Sequence, residues 1–381
     1  MNKILILLTI ANFMGSLGWS IYFSLSRPYY TSFLNATYSM VLVIASCEWL
    51  PGLTSFIWGY LSDRYGVKRV LIIGALAYVL SLVGVVELKF IPIVVALASL
   101  GWAAAWPTIL AGISRISGEY IGRRYGFFAL GGNIGWGLGG IVAGLIASYT
   151  SLRLTLTLSG LLAGLAYTLS YFVLSRYEWK YTTVRIMGVL KGVLGYVALA
   201  CIILTLGMEY AFNLISVKLY YEVNENVLLY GLVITSLPAF IGAIVRPIAG
   251  AITDKLGGAK TVLTAIIMYS LIYLLASFLR GYALVLLWII PIYPFYDTGF
   301  IRLASEVSSK DKRGAAMGLI NTSMSIAGST VFIFGPLTDV LGYTYSMIIA
   351  SIIASTSLIP LLIVYRIVSR VVKRDKRIKL M

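Results

Sequence analysis

The chain is punctuated by apolar runs of about 20 residues, and no other feature limits its possible folds so tightly. An α-helix rises about 1.5 Å per residue, so roughly 20 apolar residues cross the ~30 Å hydrocarbon layer, and backbone that enters lipid must satisfy its own hydrogen bonds. Twelve runs reach that length, at approximately 4–25, 39–61, 70–88, 91–113, 126–148, 154–175, 194–216, 229–252, 261–279, 282–303, 315–338 and 345–365. The expected fold class is an all-α membrane protein with twelve transmembrane helices. Composition points the same way: 60% of the 381 residues are hydrophobic and 12% charged, against about 25% charged in a soluble domain. The first run, from just after Lys3 to Leu25, outlasts the roughly 7–15 residue apolar core of a cleaved signal and is expected to remain as a span.

The formal net charge of +16 would suggest a nucleic-acid partner in a soluble protein. Here the cations follow membrane topology instead. When alternate loops are assigned to alternate sides, twenty-four Lys and Arg fall on one side, and Arg27, Lys89, Arg153, Lys218 and Arg280 fall on the other. Cytoplasmic loops carry the excess of Lys and Arg, so both termini are expected in the cytoplasm and the chain in the plasma membrane. No nucleic acid is expected as a partner. The chain has no histidine, so imidazole metal sites, Ser/His triads and histidine proton switches are excluded, and Cys47 and Cys201 lack the spacing of a metal or redox pair. The expected partners are lipid, a small solute and protons, with the chain acting as a monomer and needing no cofactor or metal. The short loops offer no constellation for an enzyme, and no filter motif suggests a channel.

One constant offset relates the two halves of the sequence. Shifted by 191 residues, Arg27, Tyr29, Tyr30 and Asn35 meet Lys218, Tyr220, Tyr221 and Asn226, and Gly59, Asp63, Arg64, Gly66 and Arg69 meet Gly250, Asp254, Lys255, Gly257 and Lys260. Internal repeats of this length are how many carriers are built. The expected organisation is a first six-helix bundle at 1–175, a polar linker at 176–192, a second bundle at 193–366 and a basic tail at 367–381.

The loop after the second run has the form GxLxDRxGxKR, in Gly59, Leu61, Asp63, Arg64, Gly66, Lys68 and Arg69, with a degenerate copy from Gly250 to Lys260 that includes Asp254, Lys255 and Gly257. A tight turn requires Gly66, and Asp63 can accept from basic groups or a helix N-terminus. These motifs, together with GPLTDVLGY from Gly335 to Tyr343 and with Glu306 and Arg313 before it, resemble the major facilitator superfamily over the whole chain. The resemblance implies alternating access, with the Asp63 and Asp254 clusters closing the cytoplasmic face when the cavity opens outward; the alternative is that the cations serve only the charge bias. A further family pattern, GxxxGPxxGG, stands as Gly131, Gly135, Gly139 and Gly140, with Trp136 in the proline's place. In the family it accompanies drug and proton antiport, whereas on physical grounds such glycines let helices pack backbone to backbone.

Four charges fall inside the expected spans, where each costs a few kcal/mol and marks a candidate site. Glu48, near mid-span and beside Trp49, suits proton coupling or substrate contact, the alternative being an acceptor for a neighbouring Trp or Tyr. Arg246, before Pro247, resembles the helix 8 arginine of monocarboxylate and oxalate branches, so it either binds an organic anion or pairs with Asp297. Glu209 lies one turn from Asn213 toward the outer exit. Asp297 follows Pro291 and Pro294, which weaken its helix. Trp19, Trp102, Trp106, Tyr293 and Tyr296 are further pocket candidates, though aromatics near span ends are generally interface anchors. The expected function is proton-coupled transport of a small organic solute, slightly favouring an organic anion; multidrug/proton antiport and a non-transporting receptor are the alternatives.

Overall fold

In the computed structural model, residues 3–117, 121–175, 192–308 and 313–367 are described. The linker cations Arg176, Lys180, Arg185 and Lys191, the tail beyond Ile367, and Lys310 and Lys312 lie outside them.

Among the described residues, eleven helical runs are long and apolar enough to cross a membrane: α1 Lys3–Phe33, α2 Tyr38–Ser62, α3 Val67–Gly84, α4 Leu88–Leu110, α5 Arg124–Tyr149, α6 Leu152–Leu174, α7 Val193–Glu222, α8 Val227–Leu256, α9 Gly258–Phe278, α10 Gly281–Val307 and α11 Ala316–Ile367. No strand occurs among the described residues. The last run differs in kind. Its 52 residues would stretch for about 78 Å if straight, and they are broken at Gly342, whose φ of 71° and ψ of −176° are not helical.

Local chemistry sets several of these ends. The side chains of Thr37, Ser151 and Asn226 accept from the amides of Met40, Leu154 and Leu229 at the starts of α2, α6 and α8, satisfying donors that a first turn leaves free. The helices of α2 and α8 end at Gly66 and Gly257, with φ/ψ of 96°/145° and 81°/161°. The two glycines stand 191 residues apart and share a left-handed conformation that a Cβ would strain, so the repeat extends to the backbone. In α10 the helix is interrupted between Trp288 and Tyr293, beside Pro291 and Pro294.

Two helices are longer than the apolar runs suggested. α1 continues past Leu25 to Phe33, and α7 continues past Ser216 to Glu222. Arg27 and Lys218 therefore sit in helices, not in outer loops, and Arg27 is 1% exposed. A hydropathy ruler stops at a charge, whereas a helix continues wherever that charge finds a partner inside the protein.

Most helix packing is local to each half: α1 lies against α5 and α6, and the second arm of α11 against α7 and α9. Between the halves, contacts concentrate toward the ends of the helices remote from Gly66 and Gly257. The Ser39 amide and hydroxyl donate to the Asp339 carboxylate, the Phe332 amide donates to Ser46 Oγ at 3.0 Å, and a Cβ on Gly328 would meet the Trp49 ring. On the other flank Ser24 and Thr235 hydroxyls are 2.7 Å apart, and the Ile141 amide donates to Ser236 at 3.0 Å. Toward the Gly66 end, by contrast, a Cβ on Gly59, Gly126, Gly250 or Gly318 would meet nothing within 4 Å. The molecule is zipped at one face and parted at the other.

Candidate functional site

Arg27 and Glu48 form the centre of the zipped end. The guanidinium donates through NH1 to Glu48 Oε1 and through NH2 to Oε2, both at 2.7 Å, a fork that matches the carboxylate's own geometry. Its NH1 also reaches Ser26 Oγ at 2.8 Å, and its Nε reaches Asn213 Oδ1 across the interface at 2.9 Å. The Tyr22 hydroxyl donates to Glu48 at 2.6 Å and lies 2.9 Å from the Tyr30 hydroxyl. Phe23 of the first half and Phe212 of the second lie 5.3 and 5.7 Å from the guanidinium carbon. Glu48 is thus not the lone carboxylate that its span suggests. Its partner was hidden because Arg27 had been placed in a loop; the spacing Trp19, Phe23, Arg27, one residue per turn on a single helix face, is the signal that could have found it.

Below this pair a cavity of about 360 Å³ opens into the first bundle. Five of the chain's eight tryptophans line it: Trp19, Trp49, Trp102, Trp106 and Trp136. Trp102 and Trp106 stand one turn apart on α4, while on α1 the rings of Trp19 and Phe23 lie 6.1 Å apart, with Trp136 another 5.7 Å from Phe23. Trp19, Trp102 and Trp106 are therefore cavity residues, not interface anchors, and their one-turn spacing with other aromatics was the legible clue. Trp136 fills the place of the pattern's proline.

Other candidates lie elsewhere. Trp49 lies beside the Glu209 carboxylate, and the Asn213 amide donates back to the Glu209 carbonyl at 2.7 Å. Arg246 and Asp297 do come together, at 2.9 Å, but their side chains are 46% and 35% exposed and neither lines the cavity. Tyr293 lies under the Arg246 guanidinium at 5.5 Å, and the Tyr296 hydroxyl is 2.6 Å from Thr205; both are absent from the cavity wall.

The glycines of α5 meet two different partners. A Cβ on Gly131, Gly135 or Gly139 would strike Thr9, Phe13 or Ser20 of α1, whereas one on Gly140 would strike Gly231 and Thr235 of α8. At the parted face, the Arg64 guanidinium donates to the Tyr60 hydroxyl at 3.1 Å and lies over the Tyr65 ring; Lys68, Arg69 and Lys255 are exposed, and the Asp63 side chain lies outside the described part. In the second half Arg302 spans Glu306 at 2.7 Å and Asp254 at 3.9 Å, and Glu306 accepts from the Gly258 amide at the start of α9.

The profile of the Major Facilitator Superfamily matches residues 8–331, with a second match over 197–379, and the chain belongs to that family. It is a transporter of the secondary, multi-pass membrane kind. No curated protein matches it in sequence. Among solved structures it is similar to a mutant of the nucleoside transporter NupG, with a TM-score of 0.78, 13% identity and coverage of 96% of this chain and 99% of that one. It is also similar to a bacterial homologue of the human lysosomal transporter Spinster in an inward-facing and occupied conformation (TM-score 0.74, 12% identity, 96% of each chain). A POT family transporter in complex with a thioalcohol-conjugated peptide gives 0.73 and 12%, again over 96% of each chain. At such identities the likeness is one of fold.

Proposed function

We propose that the chain carries a small organic solute by alternating access, coupled to protons through Glu48, with the tryptophan cavity as the solute's seat. One observation carries this: the halves are sealed at one end by a network that includes Glu48, and Glu48 itself lines the cavity below. Coupling follows from the bonds. Arg27 holds both Glu48 and Asn213 of the other half, so a proton on Glu48 removes the charge that orients Arg27 and loosens the seal.

The break at Gly342 divides α11 into two arms, each long enough to cross a bilayer, which brings the count to twelve crossings in bundles at 1–175 and 193–366, with 176–192 as tether and 367–381 as a basic tail. The Lys and Arg bias puts both termini and the parted face in the cytoplasm of a plasma-membrane protein. In the outward-open form, the Asp63 and Asp254 clusters meet across that face.

The organic-anion version rests on Arg246, whose guanidinium is held by Asp297 away from the cavity; we therefore favour the cavity. Multidrug/proton antiport is the second reading, favoured by the aromatic walls and the glycines of α5. The test uses protein reconstituted in liposomes, with Cys47 and Cys201 replaced by Ser and a single reporter cysteine at Tyr60 or at Ser39. Labelling at the two positions should be reciprocal and pH-dependent, and Glu48→Gln should flatten the pH dependence. Both cysteines reacting at once under all conditions rules out alternating access, and an unchanged pH profile removes Glu48 from coupling.

A further inference from the structure

Glu48 is the one charged side chain on the cavity wall among the described residues, and it is spent on Arg27. Both Glu48 oxygens are engaged by Arg27, and one of them also by Tyr22; the Arg27 fork is committed to Glu48, Ser26 and Asn213. A solute that brought a net charge would find no free charge on the wall itself, and desolvating it there would be costly.

Polar groups on the wall are few and mostly turned to the protein. The Trp19 indole donates to the Tyr167 hydroxyl at 3.3 Å, the Asn12 amide to the Phe128 carbonyl at 2.9 Å, and the Ser170 hydroxyl to the Ala166 carbonyl at 2.9 Å. A polyhydroxylated solute needs a hydrogen bond for nearly every hydroxyl it desolvates, and a wall made mostly of apolar and aromatic side chains favours a flatter, less polar one. Uncommitted on the wall, among the described residues, are the indole N–H groups of Trp49, Trp102, Trp106 and Trp136, set among π faces, with the hydroxyls of Ser16 and Ser99 and the side-chain oxygen of Asn12.

Resting on the transporter reading above, we infer that this cavity is a stacking site for an uncharged, planar heteroaromatic ring that carries hydrogen-bond acceptors. The ring lies between the α4 indoles and the aromatic group of α1 and α5, and its acceptor atoms take the indole N–H groups. Offset and edge-to-face contacts with ring centroids about 4.5–7 Å apart are what such walls favour. A volume near 360 Å³ is at the small end of ligand pockets, about 300–1,000 Å³, which fits a fused bicyclic ring. Every wall residue belongs to the first half, so the ring travels with that bundle. Phe23 and Trp49 connect the site to the seal, the first through Arg27 and the second through Gly328 and Glu209.

The experiment measures scintillation-proximity binding of radiolabelled caffeine, which is uncharged, bicyclic and only an acceptor, to the purified full chain, with indole, glucose, lactate and tetraethylammonium as competitors. Caffeine should bind saturably, and the other three classes should not displace it. Trp102→Ala and Trp136→Ala should each weaken binding by about tenfold or more, in line with the loss of one stacking partner, while Arg246→Ala leaves it within about twofold. Trp102→Leu and Trp136→Leu preserve bulk without a π face and give the same loss if an alanine variant fails to fold. The inference is overturned if caffeine does not bind, if glucose, lactate or tetraethylammonium displaces it, or if the tryptophan variants bind as the wild type does. Reciprocal cysteine labelling needs no ligand, so loss of ring binding with intact labelling overturns the site alone, and loss of reciprocal labelling overturns transport.

Discussion

Two of the arginine–carboxylate pairs among the described residues of the membrane-spanning helices differ in almost everything except their chemistry. Arg27 and Glu48 meet through a two-pronged fork with side chains 1% and 3% exposed; Arg246 and Asp297 meet at a single 2.9 Å contact with side chains 46% and 35% exposed. The first pair is surrounded by Tyr22, Ser26, Phe23, Phe212 and Asn213, so each polar group has a partner, and the pair meets the cavity only through Glu48. The second lies beside the Tyr293 ring in the parted half of the molecule. Burial, not residue type, separates the pair that joins the two halves from the pair that stays open to solvent. The repeat sharpens the contrast, because Lys218, the counterpart of Arg27, finds its acid four residues along its own helix, Glu222 at 2.6 Å, and is 28% exposed. One half uses this position to tie helices together, and the other keeps the charge pair local.

The largest expected effect follows from breaking the buried fork. Arg27→Ala or Glu48→Ala leaves an uncompensated charge inside the seal and should destabilise the protein by about 3–5 kcal/mol, whereas replacing both with apolar residues of similar volume should restore most of that loss. Thermal unfolding in detergent of the two single variants and of Arg27→Met with Glu48→Leu would measure this. If the double variant is as unstable as the sum of the singles, the pair is not acting as a unit.

How far the sequence foretold this depends on whether a feature is local. Span length, the cation bias and the repeat are written into single segments, and the glycine pair Gly66 and Gly257 even shares its backbone conformation. Helix extension past Arg27 is not local, since it depends on Glu48 twenty-one residues away and Asn213 in the other half. Seen alone, Arg27 reads as a loop charge. The tryptophans were half legible: Trp102 and Trp106 share a face by spacing, but only packing brings α1, α4 and α5 around one cavity. Arg246 and Asp297 were legible as a possible pair because both are charged at similar depth, while their exposure was not, because it depends on which face of the molecule is parted.

A middle effect tests the seal without touching either pair. Asp339 accepts from the amide and hydroxyl of Ser39 in the first turn of α2, where a helix N-terminus favours negative charge by about 0.3–1 kcal/mol, and more when partly buried. Asp339→Asn should weaken this cross-half contact by about 1 kcal/mol, roughly a fivefold shift toward the form parted at the Ser39 face. Labelling of a reporter cysteine at Ser32, whose hydroxyl faces Tyr221 at 3.1 Å across the same interface, should rise by that factor. A variant that labels like the wild type would show that the packing of Gly335 and Gly328 alone holds this flank.

The smallest expected effect is at Arg246, where the comparison is most exposed to failure. An exposed ion pair contributes about 0–1 kcal/mol, and Arg246 makes one hydrogen bond to Asp297 with a ring beneath it. Arg246→Ala should therefore shift the unfolding midpoint little, and uptake of an uncharged ring solute into liposomes should stay within about twofold of wild type. Asp297→Asn is the informative partner, because it leaves the arginine in place and frees its charge. If Arg246 recognises an organic anion, Arg246→Ala abolishes carboxylate uptake and Asp297→Asn strengthens carboxylate binding by removing a competing acid. If the pair is a local tether, neither change creates or destroys carboxylate uptake. The two substitutions thus pull apart under one hypothesis and coincide under the other, and measuring both in one preparation separates a substrate arginine from a charge held in reserve.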